Sequence, residues 1–476
     1  MSATDGAIAA NRFGFGARPG DLARLGGQAR DALLAQLRAA PPLIEEDLPA
    51  SHELLAQVIA QRDALRGAKR SQTAAQETEQ PGVAPAAGAV NVVRAVRVLR
   101  QIYQPAYVAD VGARSRAAIQ RENDFLERLV HFWSNHFAVS VDKQVVLGLA
   151  GAMEREAIRP HVLGNFADML LAVEQHPAML LFLDNQQSIG PNSQAARLAG
   201  RRGRALGLNE NLGREILELH TLGVDGRYTQ ADVQALAALI TGWSIGGEGG
   251  RLRGGEPGRF FFREAFHEPG ACTFLGRRYA EGGIAQGEAA LRDLAVNPHT
   301  ARHLAMKLAR HFVADEPPAA LVERLTRAYL GSQGNLPATY RALIESPEAW
   351  LTPLAKFKTP TEYVLSTYRA LSLPFGSGMQ DLRVYELLGQ RIFQPGSPAG
   401  WPDRSADWDG SAALLKRLEW AQELGQRLGN SRAAPQLAQA SLGASLSGST
   451  REALARAQDG PQALTMLLAS PEFMRR

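Results

Sequence analysis

Cysteine is almost absent: Cys272 is the only one in 476 residues. This excludes an internal disulfide framework and any zinc site built from several thiolates. Lysine is scarce too, confined to Lys69, Lys143, Lys307, Lys356, Lys358 and Lys416 among 52 basic residues. The excess of arginine beside abundant alanine and glycine fits a GC-rich coding sequence better than phosphate recognition. A net charge of +4 is too mild to argue for nucleic acid. No apolar run approaches the roughly 20 residues needed to span a bilayer. The N-terminal MSATDGAIAANRFGFGARPGDL lacks a basic start followed by an apolar core, so no leader is expected. A cytoplasmic location is the expectation, with export left open. There is no Gly-x-Ser-x-Gly elbow, Walker loop or dinucleotide glycine fingerprint, and nothing marks Cys272 as a nucleophile.

Hydrophobic residues make up 45% and charged residues 21%, as in soluble globular proteins. Most of the chain reads as helix, rich in Ala, Leu, Arg, Gln and Glu. The expected fold is mainly α, a single multi-helical domain over 1–476, with a small β-hairpin excursion near 258–280. Its strands would be RFFF at 259–262 and TFLGRRY at 273–279, joined through EAFHEPGA. Residues 67–91 lose periodicity and are polar and small, which predicts a mobile loop. Helices are expected at 92–105 and again at 115–137. Thr229 is placed to cap a helix at 230–242, and IFQPGSPAGWPD at 392–403 reads as a proline-glycine loop. No internal repeat or heptad array is present.

The densest polar stretch is NENLGREILELHTLG at 209–223. At about 100° per residue, Asn211, Arg214, Glu215 and Glu218 share one helix face, with aliphatic residues beside it and His220 on the far edge. One reading is a helix whose ion pairs face water. The other is a site wall, with Glu215 and Glu218 as metal ligands or an acid/base pair and Arg214 holding an anion. HFWSNHF adds His131, Trp133, Asn135 and His136; Glu127, His131 and Asn135 align on one face. His131 and His136 diverge by about 140° on a regular helix, so they share a metal only if the helix ends or bends between them. Either is also well suited to being a hydrogen-bonded core histidine. His267 in FHEPG is a loop ligand, a general base or a surface residue. Asp184 and Asn185 in LDNQQS either cap the next segment or coordinate a cation. RLAGRRGR, at 197–204, reads as an anion clamp or a solvated loop.

These strings, with RFGFGARPGDL, HPAMLLFLDN, ALITGW, LAMKLARHFVAD, KFKTPTEYV and the terminal SPEFMRR, together resemble the large bacterial family catalogued as domain of unknown function eighteen-hundred, from about residue 11 to the end. The 209–233 string is the most specific. The resemblance implies no settled activity. Its members are often encoded beside a protein resembling alkaline phosphatases and sulfatases, which implies a protein partner of that kind. It also marks these as motif residues, and their side-chain chemistry gives the expected roles: Asn209, Asn211, Asp184, Asn185, Trp133, Tyr228 and Asp232 as binding groups; Glu215, Glu218, Arg214 and His267 as catalytic groups; His131, His136 and His220 as ligands of an optional divalent metal. The polar helix at 209–222, the His131–His136 segment, the Asp184 end and the His267 loop are expected to converge on one pocket. The function is then either hydrolase- or transferase-type chemistry or non-catalytic assembly with the phosphatase-like partner.

Overall fold

Polar residues that accept a first-turn N–H, several followed by proline, set many of the helix starts. Asn297 caps Pro298–Phe312, Asn335 caps Leu336–Glu345 and Thr359 caps Pro360–Ala370, each side chain accepting a backbone N–H of the first turn. Thr229 caps Gln230–Leu239 as expected, and Asp232 closes a reciprocal capping box with it. The computed structural model describes residues 3–76, 87–122, 124–203, 206–247 and 254–476. The architecture is a large, mainly helical domain with two small antiparallel two-stranded sheets. No helix among the described residues is long and apolar enough to cross a membrane.

Three expectations are corrected. The 67–91 stretch is helical where it is described: residues 67–76 close the helix Ser51–Gln76, and 87–91 open the helix Ala87–Gln120. Alanine, arginine, lysine and glutamine propagate a helix without needing an apolar stripe. Residues 77–86 lie outside the described residues. The helix Ala87–Gln120 also runs unbroken through Pro105, where two separate helices were expected. The β excursion is real, but its pairing differs. Phe260–Phe262 pairs with Trp243–Ile245, while Cys272–Phe274 folds back on Arg277–Tyr279. The second hairpin turns at Leu275 and Gly276, both with positive φ, the conformation a two-residue hairpin loop needs.

The core has two parts. One cluster gathers residues from Ile8 to Leu354 and the other gathers Phe15, Val111–Ile119 residues and the chain from Phe357 to Met474. Tyr107 and Phe393 pack against both. The helix Asp124–His136 lies at the centre. Ten of its side chains, Glu127 and Arg128 included, are buried. A helix enclosed on every side must pair its polar groups internally. His131, Ser134 and Asn135 remain partly open, and they mark where the interior has a cavity.

Candidate functional site

The cavity has a volume of about 90 Å³, room for on the order of six waters. Six separate stretches enclose it. The helix Asp124–His136 contributes Arg128, His131, Ser134 and Asn135, the helix Ala87–Gln120 contributes Arg114, and the helix Pro298–Phe312 ends there with His311. Thr359, Thr361 and Glu362 come from the start of Pro360–Ala370, and Phe15 from the N-terminal segment. The proline-glycine loop closes it with Ile392, Phe393, Pro395, Trp401, Pro402 and Asp403. Asn135 fastens that loop. Its Nδ2 donates to the Trp401 carbonyl at 2.9 Å and its Oδ1 accepts the Trp401 N–H at 2.8 Å. Gly400 allows the approach: its φ is +83°, and a Cβ there would lie 2.4 Å from the Asn135 carbonyl oxygen.

Charge around the cavity is arranged in two runs. In the first, Arg159 is fully buried between Glu127 (2.9 Å) and Glu154 (2.9 Å), with Arg121 on the outer side of Glu127 and Arg114 Nε 2.8 Å from Glu154. In the second, Glu362 takes Arg128 on one oxygen and Arg476 on the other, the latter at 2.8 Å. The same carboxylate also accepts the Thr359 N–H. Burial raises the Glu362 pKa, but Arg128 and Arg476 overcome that and hold it at about 2. Asp403 stands 3.5 Å from His311 Nδ1 and 3.4 Å from Lys356 Nζ. Burial favours its protonated form; His311, Lys356 and Arg476 reverse that and hold it well below the usual carboxylate range.

His311 is pulled down to about 4 by burial, so the imidazole is neutral at pH 7. Lys356 and Arg476 then keep Asp403 ionised. With a carboxylate facing Nδ1, the tautomer inferred for His311 carries its proton there and leaves a lone pair on Nε2. That Nε2 is buried without a partner. His131 is held well below its ordinary value, first by burial and then by Arg114, Arg159 and Arg128. Its Nε2 is likewise buried without a partner, and its ring lies 4.8 Å from that of Phe15. Two neutral imidazoles therefore border a small cavity flanked by guanidinium groups.

The four segments expected to converge do not meet there. None of Asp184, Glu215 and His267 lines the cavity that His131 lines. His131 and His136 point apart because the helix stays regular between them. His136 turns to a second cluster, where its Nε2 donates to the His220 carbonyl at 3.1 Å and His220 Nδ1 meets Glu174 at 2.7 Å. His303 joins it by donating to the Leu219 carbonyl at 3.1 Å. Nearby Lys307 is lowered to about 8 by burial, and Glu215 is raised by burial despite His220. His220 reaches this interior because residues Ile216–His220 form a π-helical turn, which breaks the 100° spacing that put it on the far edge. Among the described residues, no group of three or more His, Cys, Asp or Glu side chains is arranged to hold a metal ion. His131, His136 and His220 thus do not form one ligand set.

The remaining expected residues have local partners. Arg214 pairs with Glu210 (3.2 Å) and Glu218 (3.4 Å) on a half-exposed surface, and burial with Glu218 beside it raises Tyr228 to about 12. Trp133 is a core residue whose Nε1 donates to Tyr340 Oη at 2.6 Å. Asp184 takes a left-handed conformation and an ion pair with Lys143 at 2.7 Å. Asn185 donates to the Ile240 and Trp243 carbonyls, and Asn209 to those of Leu183 and Asp184. Asn211 is exposed. Asp232 caps its helix and accepts the Leu275 N–H at 3.0 Å. His267 is pinned between the Thr241 carbonyl (3.0 Å) and Gln286 (3.1 Å).

Sequence reasoning found His131 and Asn135 and missed Arg114, Arg128, His311, Glu362 and Asp403. Glu362 carried a readable signal, since Thr359-Pro-Thr-Glu362 is a capping box. Asp403 closes a loop already read as irregular. Arg114 and His311 had no local signal, because their significance comes from contacts across the fold. No curated protein and no solved structure matches this chain. The family described as Protein of unknown function (DUF1800) matches residues 8–475, and the chain belongs to that family.

Proposed function

We propose that the chain is an acid–base enzyme of hydrolytic or group-transfer type, working in the cavity bordered by His131 and His311. The observation that carries this reading is the His311–Asp403 pair: a carboxylate faces Nδ1 at 3.5 Å, and Nε2 is buried without a partner. Such a pair orients an imidazole as a general base, and the contact is of the loose kind that tightens when substrate binds. Neutrality above about pH 4 keeps that lone pair ready across the physiological range. His131 is the second neutral imidazole, suited to returning the proton to a leaving group. Asn135 is a positioning residue that holds the loop bearing Asp403.

Assembly with a phosphatase-like protein is a second reading. It is favoured by Leu414, Leu415 and Leu418, all exposed on the helix Ser411–Leu428, an apolar stripe of the kind that contacts partners. Docking at that surface makes no use of a carboxylate-oriented imidazole bordering an interior cavity, which places the enzyme reading first. The test is hydrolysis of a chromogenic panel of esters, phosphomonoesters and sulfate esters by the parent, His311→Asn and Asp403→Asn, with folding checked by circular dichroism. The expected result is turnover in the parent that falls at least about a hundredfold in both variants, with an acid limb as pH drops through about 4. An inactive parent, or turnover undiminished in His311→Asn, overturns the reading.

A further inference from the structure

Acid–base chemistry at His311 leaves one group at the cavity unused. Arg114 is only 9% exposed. Its Nε faces Glu154 and its guanidinium lies 5.0 Å over the Phe393 ring, yet among the described residues neither Nη atom has a hydrogen-bond partner. The run it ends is also short of negative charge. Arg121, Arg159 and Arg114 share only Glu127 and Glu154. In the facing run the ion-paired cations Arg128, Arg476 and Lys356 meet as many carboxylates, Glu362, Asp403 and Asp315. Two lining nitrogens that can only donate, Arg128 Nε and Trp401 Nε1, are also buried without a partner. Donors without acceptors, beside a guanidinium that shares its one carboxylate with Arg159, call for an acceptor-rich anion.

We propose that the substrate carries one oxyanion group, a carboxylate or a phosphate, seated on the two free Nη atoms of Arg114 with His131 beside it. This rests on the cavity being the working site, and it adds the class of molecule that enters. A stacked guanidinium presents its planar fork in a fixed orientation, which suits two-point binding of paired oxygens. At about 90 Å³ the cavity fits the anionic head alone. The remainder of the molecule extends toward the adjoining cavity of about 380 Å³, which shares Ile392 with the first.

The test is a calorimetric titration of the full chain with inorganic phosphate, acetate and sulfate, with sodium chloride at matched ionic strength as the control. Saturable one-to-one binding of at least one oxyanion is expected, with chloride giving none. Ranking phosphate against acetate assigns the tetrahedral or planar head. Arg114→Lys keeps the charge and the Glu154 pairing but loses the fork, so affinity falls about tenfold to a hundredfold. Phe393→Leu removes only the stacking and serves if Arg114→Lys does not fold; a weaker loss of about threefold to tenfold is expected there. Chloride matching the oxyanions, or a folded Arg114→Lys or Phe393→Leu binding like the parent, overturns the proposal. That outcome leaves the His311 turnover test untouched, so the two readings fail separately.

Discussion

Asn135→Ala removes a two-point clasp between a buried helix and the loop that roofs the cavity. The amide side chain satisfies both the carbonyl and the N–H of Trp401, at 2.9 and 2.8 Å. Each bond is worth about 0.5–1.5 kcal/mol net, so losing both costs about 1–3 kcal/mol, or about 5- to 150-fold in the population of the opened loop. The rest of the loop stays anchored elsewhere: Trp408 Nε1 donates to the Pro402 carbonyl at 3.0 Å, and Lys356 holds Asp403 at 3.4 Å. The effect should therefore be local. Native-state amide exchange over peptides spanning 396–404, read beside urea unfolding, separates local from global loss. Protection in those peptides should fall by the factor above, with the helix Asp124–His136 keeping its own. Unchanged protection at Trp401 would refute the clasp. Equal loss throughout the chain would mean that Asn135 supports the whole fold and not the loop.

Arg159→Leu removes the buried guanidinium that Glu127 and Glu154 share and leaves each one partner, Arg121 or Arg114; it should cost about 3 kcal/mol by urea denaturation, the low end for a broken buried pair, whereas Arg214→Ala on the half-exposed surface should cost less than about 1 kcal/mol. Equal losses at the two sites would contradict the burial argument. Lys358 is 2% exposed, and burial lowers its pKa from 10.5 to about 7. The unfolded chain takes up a proton near 10.5 that the folded chain accepts only near 7, so this group's contribution to stability declines as pH falls through that window and is lowest at and below pH 7. Lys358→Met should accordingly raise the melting temperature at pH 7, with the gain shrinking toward pH 10. A gain independent of pH would show that packing, and not charge, is responsible.

Amphipathic helices and their caps were legible because they depend on neighbours a few residues away. Thr229 with Asp232 forms the predicted start, and the shared face of Glu127, His131 and Asn135 does line one side of the helix Asp124–His136. The site was only half legible because its other members arrive from far along the chain. His311 and Asp403 meet across 92 positions, and Asn135 clasps a residue 266 positions away. No local pattern encodes such contacts. The acidic stretch at 209–223 drew attention through its density of charge, yet Arg214, Glu210 and Glu218 compensate one another at i,i+4 spacing, the water-facing alternative that the same spacing allowed. His220, named as a candidate ligand, was misplaced on its helix for a different reason. A π turn changes the angular step, so a wheel drawn for a regular helix misplaces the residues after it.

The cavity lies where the two hydrophobic clusters meet. Phe15 and Ile392 line it from one cluster and Val139 from the other, and Phe393 packs against both. Polar side chains gathered at such a seam are costly, since a buried ion pair repays little of its desolvation and apolar replacements are often as stable or more so. Two such runs beside one small cavity are therefore poorly explained as devices for stability. They do fix the orientation of Arg114, keep Asp403 ionised and leave both imidazoles neutral, and each of these is a condition that binding an anion and moving a proton would impose. A seam supplies what chemistry of that kind requires: walls rigid enough to hold charge in place, and a space from which bulk water is largely kept out.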